Sequence, residues 1–560
     1  MTNMSASRAV DPVTVEVIGS ALSTIVEEMG KALIRAAFST NIKERQDCST
    51  ALFDPQGRTI AQAERIPIHL GSLLGIADYV LKHHDLAGIR PGDVFIGNDA
   101  HTGGGTHLND IVFMEPVFVE GDLVAWVANL AHHSDFVDRS HAHIFQEGLR
   151  IPPIRLYREG VLQDDVMQLV LLNCQVPRER INDFRAQMAA NRLGVQRFQA
   201  LCGKYGKGVV AAASEEIMGY AERKTRAGIR AIPDGVYRFE TDFDSNLVES
   251  ILHLKVEVRV AGDEIFFDFA GNPPQVRAPI NMVFTALLAT VYFAVKTLLD
   301  PDTPPNAGFY RPIHVAAPEG SVLNAVAPAA VYSRTDIAQR LVDMILAALA
   351  PAIPDKVCAA CTGGGLVTTS GMHPRTGRFY VYNDMNGGGM GARAARDGLD
   401  GVQVHTTNTA NLPVEALELE HPIRVECYEL VRDSGGPGTF RGGMAMRRRT
   451  RILDHVATVS AGGTNSVIPP FGIFGGYPGE TCKVELSEGA RPLVKRAGVL
   501  QPGQSLAMIG ASGGGYGDPV KRDRDRVEKD LREDRISARA AIEIYGLDPD
   551  AARRLDPSRS

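Results

Sequence analysis

One stretch constrains this chain more than any other: Asp99 to Asp138, DAHTGGGTHLNDIVFMEPVFVEGDLVAWVANLAHHSDFVD. Two apolar runs, Ile111–Val119 and Leu123–Leu130, flank the turn signal Glu120-Gly121-Asp122, and this pattern predicts a β-hairpin. A hairpin sets the residues before its first strand beside those after its second. His107 and Asp110, spaced HxxD, would then meet His132, His133 and Asp135 at one end of the sheet, with Asp99, His101 and Asp138 nearby. Imidazoles and carboxylates converging from a rigid strand pair form the ligand set of a divalent ion, and mixed N/O donors suit Zn, Mn or Fe. Singly, such residues beside glycines belong in solvated loops. Their crowding at both ends of one hairpin favours a metal or catalytic centre.

The totals set bounds on the rest. A chain of 560 residues, 44% hydrophobic and 22% charged, has an ordinary globular balance and predicts about two to four domains. A net charge of -7 argues against a nucleic-acid partner, which calls for a basic face. The seven cysteines are few and scattered, as reduced intracellular thiols are. The start, MTNMSASRAVDP, has no apolar core of a signal peptide. The run Val283–Leu299 is interrupted by Lys296 and reads as a buried helix rather than a membrane span. The expectation is a cytoplasmic protein with no membrane association. Glycine clusters such as Gly103–Gly105 and Gly513–Gly515 mark close backbone approaches, yet none is followed by the Lys-Ser/Thr of a P-loop.

Along the chain, Asp11-Pro12 starts an amphipathic helix over residues 13–38. The polar stretch from Ser39 to Ser49 reads as a solvated loop; in the alternative, Glu44, Arg45 or Asp47 turns inward. Strands follow at Thr50–Phe53 and from Ile60, then a helix from Pro67 to about Leu81 whose His69 fits a core niche better than the site. Residues 164–172, 177–210 and 211–231 are helical, and Asp183, Gln187 and Asn191 make a stripe best read as a wet face. At Pro233-Asp234-Gly235 the pattern changes to alternating strands, Val236–Phe243, Ile251–Val260 and Glu264–Phe269. Cys358-x-x-Cys361 has no partner pair, so no metal or redox role is assigned to it. The fold class is mixed α/β, of the α+β kind. A metal-site domain of helices plus the hairpin spans 1–230, a β-rich region with core helices spans 231–520, and a charged, solvated helical tail spans 521–560.

Several motifs resemble the hydantoinase B/5-oxoprolinase family across essentially the whole chain. They include NIKERQDCSTALFDPQGRTIAQ (41–62), HLGS (69–72), PGDVFIGNDAHTGGGTHLNDI (91–111), NLAHHSDF (129–136), VYSRTDIAQR (331–340), NTANLPVEALE (408–418) and ASGGGYGDP (511–519). The resemblance implies a B-type subunit of an ATP-dependent N-methylhydantoinase, related to subunits of acetone and acetophenone carboxylases. It implies an A-type partner that binds ATP, in a heterotetramer or larger assembly, and a small cyclic amide substrate phosphorylated on its carbonyl oxygen. It also implies a divalent metal held by Asp47, His107, Asp110 and His132, with Glu44 as the alternative to Asp47. His133, Asp135 and His101 are then candidate catalytic or orienting groups, and Gly103–Gly105 a backbone cradle for the phosphorylated oxygen. The expected activity is hydrolysis of a cyclic amide. The alternatives are a ketone carboxylase subunit, which in this family tends to be longer, and a non-catalytic scaffold.

Overall fold

The hairpin forms as expected, at the centre of a seven-stranded sheet. The structure, a computed structural model, describes residues 10–63, 65–133, 142–494 and 496–557; Asp135 and Asp138 lie outside the described residues. The strands are β1 (Cys48–Phe53), β2 (Thr59–Gln62), β3 (Val94–Gly97), β4 (Asp110–Val119), β5 (Asp122–His132), β6 (Ile154–Arg158) and β7 (Val161–Leu162). They lie in the order β2-β1-β5-β4-β3-β6-β7. Glu120 (φ 54°) and Gly121 (φ 85°) both adopt the left-handed region, as a two-residue type I′ hairpin turn requires. That turn pairs Val119 with Asp122, and a one-residue bulge between Val117 and Phe118 then shifts the register so that Asp110 pairs with His132.

Alternation along the strands sorts side chains onto two faces. One face carries Ala51, Phe53, Val112, Met114, Trp126, Ala128 and Leu130 and packs on the helix His69–His83 through Leu73, Ile76 and Val80. The other face meets two long helices, Pro12–Ala36 and Pro177–Tyr205, through residues such as Leu22, Val26, Leu52, Val127 and Phe198. The first of these begins as its sequence demands: the Asp11 carboxylate accepts the N–H groups of Val13 and Thr14, and Pro12 takes the first turn.

Two expectations for polar segments are overturned. Asp183, Gln187 and Asn191 are fully buried, and Gln187 and Asn191 donate to the carbonyls of Ile111 and Phe113 on β4. Their spacing of four gives one helix face, and here that face is an internal hydrogen-bonding spine. In the stretch 39–49, Ser39, Asn41, Arg45, Asp47 and Ser49 are buried; the Asp183 carboxylate accepts the N–H groups of Phe38 and Ser39 and draws the segment inward. The predicted helix 177–210 also stops earlier, at Gly206 (φ 87°), and a second helix, Lys207–Arg230, follows.

A second sheet begins at Gly235: β8 (Gly235–Phe243), β9 (Leu252–Ala261), β10 (Glu264–Asp268) and β11 (Ile313–Ala316), in the order β11-β10-β9-β8. Its inner face packs on the helices Phe284–Leu298 and Arg334–Leu349, in a core that also takes in Ile66, Ile68 and Leu108 from the first sheet's loops. This shared core fixes Arg334 opposite the hairpin. Two further four-stranded sheets lie within residues 365–509. Beyond them the charged tail is not one solvated helix. Arg524–Arg532, Ala538–Glu543 and Pro549–Leu555 fold on a small core of their own around Leu531, Ala541 and Leu547, and Arg522 is buried between Asp397 and Asp530. Among the described residues no helix is long and apolar enough to cross a membrane.

One buried acid gives a stability prediction. Glu115 of β4 is buried, its Oε2 has no hydrogen-bond partner, and burial pushes its carboxyl up to about 7, with Arg192 only partly opposing. Between its unfolded value of about 4.3 and about 7, the folded chain binds the proton that the unfolded chain has lost, so stability falls as pH rises through that window. Glu115→Gln is expected to raise stability at pH 8 by on the order of 1–3 kcal/mol and to change it little near pH 4. Thermal unfolding of both proteins at the two pH values checks this.

Candidate metal centre

Strand alternation carries three acidic and imidazole side chains to one place. Asp110 and Val112 share a face of β4, His132 and Leu130 a face of β5, and Asp47, just before β1, continues the face of Ser49 and Ala51. The His132 N–H donates to the Asp47 carbonyl at 3.0 Å, which locks these two residues side by side. His107 enters from the loop before β4. His69 enters from the first turn of the helix His69–His83, on the same side of the sheet.

Among these, His107, Asp110 and His132 offer donor atoms that all lie within 4.8 Å of one another. The His107 Nε2 is 3.0 Å from Asp110 Oδ1, while its Nδ1 is 3.1 Å from the Tyr332 carbonyl oxygen. An Nδ1–H donating to that carbonyl leaves Nε2 as the free lone pair, the arrangement that metal-binding histidines use. The Tyr332 peptide is itself held, because the Glu147 carboxylate accepts the N–H groups of Val331 and Tyr332. On Asp110 the two oxygens divide their partners. Oδ2 takes Arg334 Nη2 at 2.9 Å and the hydroxyls of Ser72 and Thr106, whereas Oδ1 faces His107 and, at 3.8 Å, His69 Nε2. Asp47 borders the group: its Oδ1 is 3.4 Å from His69 Nε2 and its Oδ2 is 3.9 Å from His132 Nδ1. Glu44, the alternative to Asp47, ends a short helix and acts electrostatically on Glu420 instead.

The electrostatics suit a cation. Burial pushes the pKa values of His69, His107 and His132 below the ordinary imidazole value, which keeps their lone pairs available near neutral pH. Burial opposes charge on Asp110 as well, but His107, Arg334 and His69 together outweigh it and hold this carboxyl well below its usual range. An anionic oxygen among neutral imidazoles, all buried, is a donor set that a divalent ion fits.

Two of the other candidates stand apart. His133 is one step further along the chain than His132, so it turns to the opposite face of the sheet. There its Nε2 is 3.1 Å from Gln187 Oε1 and its Nδ1 2.8 Å from Arg180 Nη1. His101 has its Nε2 2.9 Å from the Ala329 carbonyl oxygen. Neither belongs to the cluster. The Gly103–Gly105 cradle is likewise taken up by the protein's own backbone: a Cβ on Gly105 would sit 2.4 Å from the Asn98 carbonyl oxygen. Conversely, His69 faces the cluster and is not a mere core filler, with Ser49 Oγ 2.9 Å from its Nδ1.

The cluster opens on a cleft lined also by Arg45, Arg334 and Arg496. Arg45 Nη1 donates to Asn41 Oδ1 and to the Asn383 carbonyl, and its buried Nε has no hydrogen-bond partner. Arg334 and Arg496 come from segments far along the chain, which is why the spacing within the hairpin could not announce them.

Fold and site together define a mixed α/β chain with a buried His/Asp cluster at the end of a central hairpin. The chain belongs to the hydantoinase B/oxoprolinase family, whose model matches residues 11–519. An uncharacterised protein of Methanocaldococcus jannaschii is 36% identical, over 96% of each chain. A B-type D-/L-hydantoinase chain of Pseudomonas sp. (strain NS671) is 31% identical, over 98% of this chain and 97% of that one. The crystal structure of the ATP-dependent caprolactamase from Pseudomonas jessenii matches with a TM-score of 0.88 at 29% identity, covering 98% of this chain and 100% of that one. An acetone carboxylase structure shares the fold, with a TM-score of 0.88 at 18% identity, over 97% of this chain and 82% of that one.

Proposed function

We propose that this chain is the metal-carrying B-type subunit of an ATP-dependent cyclic amide hydrolase, acting on a carbonyl whose oxygen an A-type partner has phosphorylated. The observation that carries this reading is the meeting, in one cleft, of a metal-type His/Asp cluster with three arginines. A cluster of that kind activates water; arginines hold phosphate oxygens. The hydantoinase and caprolactamase relatives, both named for substrates with an amide in a ring, support the substrate class.

An amide carbonyl resists attack because its nitrogen donates electrons into it. Phosphorylation of the oxygen removes that protection and leaves a carbon that accepts water. The cluster residues His107, Asp110 and His132, with Asp47 beside them, would hold a Zn, Mn or Fe ion. When bound, such an ion supplies Lewis-acid chemistry and makes water more acidic. Arg45, Arg334 and Arg496 neutralise the phosphate and orient the substrate. His69, kept neutral by burial and steadied at Nδ1 by Ser49, takes a proton on Nε2 as water adds to the carbon.

The test is co-expression with an A-type partner and assay of hydantoins, lactams and ketones, each with and without bicarbonate. Ring opening that needs ATP and both chains, and is indifferent to bicarbonate, is the expected result. Turnover only of ketones, and only with bicarbonate, would replace hydrolysis by carboxylation.

A further inference from the structure

Far from the hairpin in sequence, two thiols and an imidazole meet in a second buried group. We infer that Cys358, Cys361 and His405 hold a second metal ion, of the thiolate-preferring kind that zinc exemplifies, through donors entirely different from those of the His107 cluster. Their ligand atoms lie within 4.8 Å of one another. Tetrahedral zinc, with bonds of about 2.0–2.3 Å, sets its ligand atoms roughly 3.3–3.8 Å apart, so a contraction of at most about 1–1.5 Å closes the site.

Four features distinguish this group from cysteines that merely fill a core. First, His405 Nε2 is 3.0 Å from Asp343 Oδ1. A proton on Nε2 leaves the other ring nitrogen for a metal and supplies the carboxylate–histidine pairing that metal-binding imidazoles use. Second, the same Asp343 oxygen accepts the Cys361 N–H at 3.0 Å, so one buried carboxylate orients both ligand-bearing segments. Third, the Gly391 N–H donates to Cys361 Sγ at 3.2 Å, a contact that favours thiolate over thiol. That approach needs glycine, since a Cβ on residue 391 would sit 1.8 Å from the Ala359 carbonyl oxygen. Fourth, His405 and Thr406 both hold left-handed backbone (φ 47° and 51°), which non-glycine residues adopt only when their surroundings demand it. Cys358 is 5% exposed and Cys361 not at all. A dithiol so enclosed is shut off from redox partners, whereas a structural ion needs that enclosure. Two thiolates and an imidazole favour zinc over the harder Mg or Mn.

The ion would brace the cleft. The Thr406 carbonyl, next to His405, accepts the N–H of Ile68, which precedes His69. Thr407 and Thr409 of the same loop line the cleft.

The test is cobalt reconstitution of the full chain after chelation. The His107 cluster has no sulfur, so a thiolate-to-cobalt charge-transfer band in the near ultraviolet can arise only where cysteine is a ligand. The wild-type chain is expected to show that band, growing to one equivalent per chain. Cys361→Ser is expected to lose the band and one equivalent of zinc, keeping the equivalent bound by the other cluster. Cobalt uptake by the wild-type chain without the band would overturn the proposal, as would a Cys361→Ser variant with wild-type zinc content. The wild-type spectrum decides the matter even if the variant fails to fold.

Discussion

His107→Ala is expected to remove one metal equivalent from the chain and, with it, ATP-dependent turnover in the presence of an A-type partner. His107 is the cluster residue whose free nitrogen is best defined, because Nδ1 is committed to the Tyr332 carbonyl. Loss of a residue that only supports a ligand costs about 10–100-fold in metal affinity, so loss of the ligand itself should cost at least about 100-fold. The fold should survive the change. The Tyr332 carbonyl loses one donor, a cost of about 1–3 kcal/mol for a buried group. Metal analysis after dialysis and turnover with the A-type partner measure the two effects. A variant that keeps its full metal content and full rate would remove this cluster from the chemistry.

The parts of this site that were legible in the sequence are those that one local element determines. The Glu120-Gly121 turn closes the hairpin and, with strand alternation, brings the Asp110 end of β4 to the His132 end of β5; the one-residue bulge at Val117–Phe118 that pairs the two had no mark in the pattern. The same alternation, followed one residue further, would have turned His133 away from the cluster; local crowding hid this. His69 and the polar stretch 39–49 misled for another reason. A polar side chain near a helix start looks the same whether it meets solvent or a buried carboxylate, and only the packing of Asp47, Ser49 and Asp183 decides between them. Residues brought in by tertiary structure carried no local mark. Arg334 reaches the hairpin because the two sheets share a core, and His405 meets the Cys358–Cys361 pair across a loop that no spacing rule connects. The strand β11 was unseen for a similar cause: it joins β10 in parallel after an intervening helix. Of the fold, the elements with clean periodicity, such as Pro12–Ala36 and the strands β8 to β10, were readable from pattern alone.

Arg334→Met is expected to be the most destabilising single change at the site, and the loss should depend on metal. Arg334 and Asp110 pair at 2.9 Å with side chains 4% and 0% exposed. Removal of one partner of such a pair costs about 3–5 kcal/mol, because the remaining charge stays buried without compensation. Thr106 also loses the Arg334 Nε contact at 3.0 Å. If Asp110 binds an ion through Oδ1, that ion supplies the positive charge that the uncharged methionine side chain cannot. The melting temperature of Arg334→Met should therefore fall further below wild type in chelator than in saturating metal. An Asp110→Asn/Arg334→Met double variant leaves neither charge, so in chelator it should melt above the single variant while failing to bind the ion. Melting curves of the three proteins with and without metal separate the two contributions of Asp110, since structural pairing is independent of the ion and ligation is not. An equal deficit for Arg334→Met in both conditions would mean that Asp110 serves the fold alone.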